Sequence, residues 1–325
     1  MDVPWLHILS TVAGVFLTAG AGAMSRWLGW LTHETDDGLL RLTLRLLFPC
    51  MIFHAVAGNA ALREPANLLV PPLFGFCACA GGIGLAAACA RLPGSWTGLR
   101  DTRQRRTFAL SVGLFNYGFI PIPLVSLLYH DTIPTLGVLF VHNVGVELSI
   151  WTVGVLALTG GGARSSWRNI INPPAIAILV ALAGNATDAT QWIPSAVLQA
   201  IKLIGSAAIP MSLLLVGATM IDQWRQADTP PSRGEVIKSA GWAAILRLAL
   251  LPSAFLSAAY LLPLSVELDR VVVVEAAMTS AIFPVVMARI YDGDSILALR
   301  IAIATSLVGI ITIPLWLKFG AWLLL

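Results

Sequence analysis

The stretch from Asn116 to Leu124, NYGFIPIPL, places polar and helix-breaking residues inside an apolar part of the chain. Proline removes an amide donor and strains a helix, and hydrocarbon cannot solvate an asparagine side chain. Such residues are tolerated at membrane depth where irregular backbone lines a cavity. Because a helix N-terminus carries partial positive charge and free amides, a half-helix that begins there suits a carboxylate. The stretch therefore predicts a site for a small anion within a broken helix.

Glu147 is an acidic residue near the middle of another apolar run. An unpaired carboxylate would cost roughly 3 kcal/mol in lipid, so the side chain must face the protein interior, a partner or water. Arg300 or Arg289 could pair with it. A structural ion pair and a role in proton or sodium coupling both stay open for Glu147.

Three further polar residues fall in the same apolar runs. Asn143 lies one turn before Glu147, and its amide can serve an anion or a cation. We expect His142 to be an interior histidine, although histidine titrates near neutral pH and could carry a coupling proton. Glu275 could take part in coupling, or it could pair with a basic group such as Arg247.

The composition identifies the class of protein. Of 325 residues, 57% are hydrophobic and only 11% are charged, whereas soluble proteins carry about 25% charged residues. Mean hydropathy is +0.82. The sequence therefore predicts an all-α integral membrane protein. Ten apolar runs are candidate membrane helices, which we number segments 1 to 10: 5–25, 39–57, 68–90, 107–128, 133–158, 169–186, 192–221, 236–262, 271–290 and 296–323.

The distribution of charge predicts the orientation. Basic residues gather in the loops after segments 1, 3, 5 and 7, most densely from Arg100 to Arg106, whereas the opposite loops hold Arg63 and Arg270. Lys and Arg favour the cytoplasmic side. We therefore expect a multi-pass protein of the plasma (inner) membrane with both termini outside, and we interpret the basic run as a cytoplasmic anchor rather than a nucleic-acid site.

An internal repeat divides the chain into residues 1–160 and 161–325. Pro49 and Pro210 are 161 residues apart, and so are Pro123 and Pro284. Each half has five segments, an odd number, so the second half should enter the membrane upside down. Inverted repeats with broken helices are typical of secondary transporters, whose sites lie where those helices meet. We expect segments 4 and 9 to be broken and to cross.

Three stretches together resemble the auxin efflux carrier family, including its bacterial members: NYGFIPIPL, EAAMTSAIFPVVMARIYDGD and NPPAIAIL. The resemblance implies the fold of the wider bile-acid and auxin-type transporter superfamily. In that fold a mobile core of segments 3–5 and 8–10 moves beside a scaffold of segments 1, 2, 6 and 7. It also implies export or uptake of a small organic anion, an auxin-like carboxylate or a mono- or dicarboxylate, by a rocking or elevator movement. A homodimer formed through the scaffold is implied as well. The long hydrophilic loop of plant members is here a short connection, 160–168.

The same resemblance places the substrate site at the crossing. Thr279 and Ser280 fall where some plant members have a proline and a polar residue, which leaves the substrate open. The predicted substrate contacts are Asn116, Tyr117, Pro121, Pro123, Asn143, Thr279, Ser280 and Pro284. The candidates for coupling or an ion pair are Glu147, Glu275, His142 and Arg300.

Other functions are weighed against the anion carrier. A sodium- or proton-coupled carrier of a neutral or cationic solute is the main alternative. A membrane enzyme would need a catalytic pair, and His142 and Glu147 point to different sides of a helix. A channel would need a continuous polar path, and segments 1, 3 and 8 have few polar positions. The cysteines lack metal-site spacing, and we expect no metal or cofactor apart from a coupling Na+ or H+.

Overall fold

The computed structural model describes residues 4–129, 132–161, 173–226 and 233–325. Within these ranges the chain is helical, with one isolated pair of residues in β-bridge geometry. The main helices are α1 Trp5–Trp27, α2 Glu34–Val56, α3 Pro65–Cys89, α4 Thr102–Gly113, α5 Pro121–Leu128, α6 Thr132–Thr159, α7 Pro173–Ala186, α8 Ser195–Asp222, α9 Gly234–Leu261, α10 Val266–Ala276, α11 Phe283–Ile290 and α12 Ser295–Leu324.

Seven of these helices, α1, α2, α3, α6, α8, α9 and α12, are long and apolar enough to cross a membrane. The remaining three predicted segments have a different form. Segment 6 corresponds to α7, an apolar helix of 14 residues, and the first residues predicted for it, 169–172, lie outside the described ranges. Segments 4 and 9 each consist of two shorter helices, α4 with α5 and α10 with α11.

The breaks in segments 4 and 9 have a local cause. Pro121 is the first residue of α5, and Pro284 is the second residue of α11. Proline is favoured in the first turn of a helix, where its missing amide has no carbonyl to bond. The two second halves, α5 and α11, are each eight residues long. Proline therefore restarts both helices after a non-helical link.

Glycine permits the closest helix contacts. A Cβ added at Gly217 of α8 would collide with the carbonyl oxygen of Ala19 in α1, and one added at Gly145 of α6 would collide with that of Pro72 in α3. Small residues let helix backbones approach closely in membranes. Thus α1 packs on α8, and α3 packs on α6. In addition, α2 packs on α7 and α8.

Three helices contain a five-residue π turn: Thr43–Leu47 in α2, Ile150–Gly154 in α6 and Leu246–Leu250 in α9. Such turns shift the register of the side chains that follow, and they occur often at functional sites. The turns in α6 and α9 carry Trp151 and Arg247, both buried. Both residues take part in the contacts described below.

Arg26 directly follows segment 1 (5–25), so the sequence predicts it in the basic loop after that segment, but it lies in the last turn of α1 and is buried. Its guanidinium pairs with the carboxylate of Asp36, and its Nε lies 3.1 Å from Oδ2 of Asp222. The predicted position of Arg26 in a loop is thus wrong, because two acidic residues hold it against α2 and α8. These ion pairs join the ends of α1 and α8 to the start of α2.

Candidate functional site

The links within the two broken segments lie side by side. The amide of Asn116 donates to the carbonyl oxygen of Thr279 at 2.9 Å, and the amide of Ala281 donates to that of Leu114 at 3.0 Å. Phe115 and Ser280 face each other between these bonds as an antiparallel bridge. Backbone groups freed by a break in a helix must find partners inside a membrane protein. Here each broken segment supplies them to the other, and we call this pairing the crossing.

The polar side chains of the crossing are buried. Asn116 is 9% exposed, whereas Thr279 and Ser280 are at most 2% exposed. The hydroxyls of Thr279 and Ser280 have no hydrogen-bond partner within the described ranges. The amide of Ser280 donates to Oγ1 of Thr305 in α12 at 3.3 Å. Buried hydroxyls without partners are costly in a protein interior, and these two lie next to Asn116 at the crossing.

Helix α6 presents Asn143, Glu147 and Trp151 to the crossing, four residues apart and therefore on one face. The side-chain amide of Asn143 donates to the carbonyl oxygen of Tyr117 at 2.7 Å. The Tyr117 hydroxyl donates to Oε1 of Glu147 at 2.7 Å, and Nε1 of Trp151 donates to Oε2 at 3.0 Å. Both oxygens of the Glu147 carboxylate thus accept hydrogen bonds from neutral groups.

Glu147 lies at a half-buried edge of the crossing. Tyr117, Gly118 and Phe119 are likewise half-buried, in contrast to the fully buried residues before them. Phe283, at the start of α11, packs edge-to-face on Trp151 with ring centroids 6.0 Å apart. Partial exposure thus distinguishes this edge from the fully buried links beside it.

The three predicted prolines lie at the ends of the half-helices and are buried: Pro121 and Pro123 in the first turn of α5, and Pro284 in that of α11. The amides of Ile122 and Leu124 already donate to the carbonyl oxygens of Gly118 and Ile120, at 3.3 and 3.2 Å. Because Pro121 and Pro123 have no N–H, the first turn of α5 has no free amide to offer an anion. It can contribute its dipole alone.

His142 and Arg300 lie away from the half-buried edge. His142 is 1% exposed and sits between the rings of Phe74 and Phe115, each with its centroid 6.4 Å away. Its Nδ1 lies 3.1 Å from Oδ1 of Asn143. Arg300 is half-buried on α12, where the charge of Asp294 acts on it. His142 is thus linked to the crossing through Asn143, whereas Arg300 lies near Asp294, the residue that precedes α12.

Glu275 and Arg247 are both buried beside the crossing. Glu275 is the second-last residue of α10 and is 2% exposed. Arg247, in the π turn of α9, is 0% exposed, and its guanidinium lies 5.4 Å from the ring centroids of both Phe115 and Phe255. The sequence predicts Arg247 only as a partner for Glu275. It gives no role to Trp151, although Trp151 lies four residues after Glu147 and therefore on the same helix face.

A cavity lies outside the contacts described so far, and the described residues offer no group of metal ligands. The cavity has a volume of about 620 Å³ and lies between the start of α4, the end of α6 and the end of α11, where Arg103, Arg106 and Asp292 are among the lining residues. It lies away from the crossing. Among the residues that the structure describes, no group of three His, Cys, Asp or Glu side chains could hold a metal ion.

Comparison with known proteins agrees with this architecture. The model of a family described as "Membrane transport protein" matches residues 7–317. An uncharacterized transporter of Methanothermobacter thermautotrophicus is 24% identical over 311 residues, which cover 94% of this chain and 96% of that protein. The exposed apolar side chains on several helices, such as Leu17, Leu203 and Ile311, also agree with a surface that faces lipid. The predicted family is thereby confirmed, and the chain belongs to the membrane transport family that includes the auxin efflux carriers.

Proposed function

We propose that this protein is a secondary carrier that moves a small organic anion across the membrane by alternating access at the crossing of segments 4 and 9. The observation that supports it most is the pair of backbone hydrogen bonds between the two links, Asn116 to Thr279 and Ala281 to Leu114. Broken helices that meet inside the membrane form the sites of secondary transporters. The inverted repeat and the elevator movement of a core beside a scaffold are parts of this proposal.

The proposed contacts are buried side chains of the crossing and of α6. Asn116 and Asn143 bring side-chain amides, and Thr279 and Ser280 bring hydroxyls that have no hydrogen-bond partner within the described ranges. The start of α11 supplies the favourable end of a helix dipole. In contrast, α5 cannot supply amide donors, because prolines and internal hydrogen bonds occupy its first turn. The first turn of α11 also has a proline, Pro284, and the amide of Val285 donates to the carbonyl oxygen of Ile282 at 2.9 Å. Because it has one proline rather than two, we assign the carboxylate to the start of α11.

A binding measurement tests the assignment. Ligands that bind the native state raise its apparent stability. We would measure the melting temperature of the purified protein with a panel of small carboxylates, in the wild type and in Asn116→Ala. Asn185→Ala is the matched control, because Asn185 is also buried but donates to Asn59 in another part of the fold. A carboxylate shift that is lost in Asn116→Ala and kept in Asn185→Ala supports the site, whereas its retention in both variants contradicts it.

One observation favours a neutral or cationic solute as the second candidate. Glu147 places a carboxylate at the half-buried edge, and its partners Tyr117 and Trp151 carry no charge to balance it. A negative group at this position would attract a cation. The same panel, extended to small amines and polyols, decides between the candidates. If amines shift the melting temperature and carboxylates do not, the organic-anion proposal fails.

A further inference from the structure

Arg247 and Glu275 are opposite charges buried close to the crossing, one on α9 and the other on α10. Arg247 is 0% exposed and Glu275 is 2% exposed. The three guanidinium nitrogens and the two carboxylate oxygens have no hydrogen-bond partner in the part of the chain that the structure describes. An isolated charge in a membrane interior is expensive, and ionisable groups there almost always pair with one another. Each of these groups therefore needs the opposite charge nearby.

The surroundings of Arg247 favour a permanent cation. Its guanidinium carbon lies 5.4 Å from the ring centroids of both Phe115 and Phe255, and these two rings pack edge-to-face on each other. Aromatic faces attract a cation, and more strongly when it is removed from water. Arginine keeps its charge in proteins where lysine often does not. Phe115 is one of the paired residues of the crossing, so the positive charge of Arg247 lies next to the paired links.

Electrostatic attraction joins this cation to Glu275. The charges of Arg247 and Glu275 act on each other, and the thiol of Cys79 is a weaker neighbour of Arg247. The two residues form no direct hydrogen bond. Because both groups are buried, water and salt screen this attraction little.

We propose that Arg247 is a built-in counter-cation for Glu275, so that Glu275 is neutralised by the protein and does not bind a dissolved coupling cation. Glu147 has a different environment, because neutral donors hold it and it lies at the half-buried edge. Glu147 is thus partly exposed, whereas Arg247 and Glu275 are buried. If the proposed carrier function holds, sodium does not drive transport through Glu275. The charge pairing itself does not depend on that function.

A double-mutant cycle, measured without substrate, tests the pairing. We would compare melting temperatures of the wild type, Arg247→Met, Glu275→Gln and the double variant, each in sodium chloride and in choline chloride. Removing one partner of a buried charge pair leaves the other unbalanced, so each single change should lower the melting temperature by about 5 °C or more. The double variant should melt above both single variants. Any difference between the two salts in the wild type should persist in Glu275→Gln.

Arg270→Met is the matched control, because Arg270 lies 5.3 Å from the ring centroid of Tyr129 but is only half-buried. Its effect should not change in the Glu275→Gln background. If Arg247→Met cannot be purified, the test compares the melting temperatures of Glu275→Gln and the double variant. The double variant should then melt at the higher temperature. Additive losses overturn the proposal. So does a sodium-dependent rise in the wild-type melting temperature that Glu275→Gln abolishes.

These outcomes are separate from the carboxylate panel. If the losses in the double-mutant cycle are additive but a carboxylate raises the melting temperature only when Asn116 is present, the proposed charge pair is refuted and the proposed binding site is kept. If the double variant melts above both single variants but no carboxylate changes the melting temperature, the charge pair is supported and the organic-anion proposal is refuted.

Discussion

The amide of Asn116 and the carbonyl oxygen of Thr279 are joined by a hydrogen bond of 2.9 Å, although 163 residues separate them in the chain. The bond lies where both segments lose their helical hydrogen bonds. It therefore satisfies backbone groups that neither segment could satisfy alone. The same bond places Asn116 beside Thr279 and Ser280, and so ties the stability of the crossing to the geometry of the proposed site.

Tyr117→Phe should weaken the contact between the crossing and α6. The substitution removes the hydroxyl that donates to Oε1 of Glu147, so this oxygen loses its protein donor. Hydrogen bonds to charged groups contribute about 1.5 to 3 kcal/mol; since Glu147 is half-buried, we expect a loss of about 1 kcal/mol. Thermal unfolding measures it. Tyr129→Phe is the control, because the Tyr129 hydroxyl lies a longer 3.4 Å from its acceptor in Arg270, and an equal loss in both variants would count against the Glu147 contact.

Gly217→Ala should strongly disturb the packing of α1 on α8. The new Cβ would collide with the carbonyl oxygen of Ala19, which backbone atoms hold in place. Overpacking of this kind costs about 1 to 3 kcal/mol. Gly14→Ala, on the other helix of the pair, is the control, because a Cβ there meets nothing within 4 Å. Unfolding in detergent should show a lower melting temperature for Gly217→Ala alone, and equal melting temperatures would show that α1 and α8 are less closely packed.

Pro284→Ala should affect transport more than stability. Pro284 lies in the first turn of α11, where alanine fits the same backbone, so we expect a change in unfolding free energy of about 1 kcal/mol or less. The variant also gains an amide that lets the helix extend toward the crossing, which should slow turnover. Pro314→Ala, inside α12, is the control. Transport rates of the two variants at equal folded yield decide the matter, and unaltered turnover in Pro284→Ala would remove this proline from the mechanism.

The elements that the sequence predicted well are those with a local signal. Pro121 and Pro284 each mark the start of a half-helix, because a proline ring acts on its own turn. The use of the backbone amides was not predictable in the same way. Free amides were expected at the start of α5, but Ile122 and Leu124 donate to carbonyl groups of the preceding link.

The pairing of Ser280 with Thr305 could not be read from the sequence either, because it depends on how α12 packs against the crossing. Arg247 shows the same limit. Arg247 is buried and lies near two phenylalanine rings in a π turn of α9, and a π turn leaves no clear mark in the pattern of apolar residues. The partners of Glu147 are neutral groups within its own half of the chain, whereas charge alone had suggested Arg300 or Arg289.

Counterflow in proteoliposomes tests the central claim most directly. Vesicles that contain the purified protein would be loaded with an unlabelled carboxylate, and uptake of the labelled compound would be followed for the wild type, Asn116→Ala and Asn185→Ala. The account predicts saturable uptake that internal carboxylate accelerates in the wild type and in Asn185→Ala, with loss of that uptake in Asn116→Ala at equal folded yield. Uptake that rises linearly with concentration, or full counterflow in Asn116→Ala, would contradict a carrier whose site lies at the crossing.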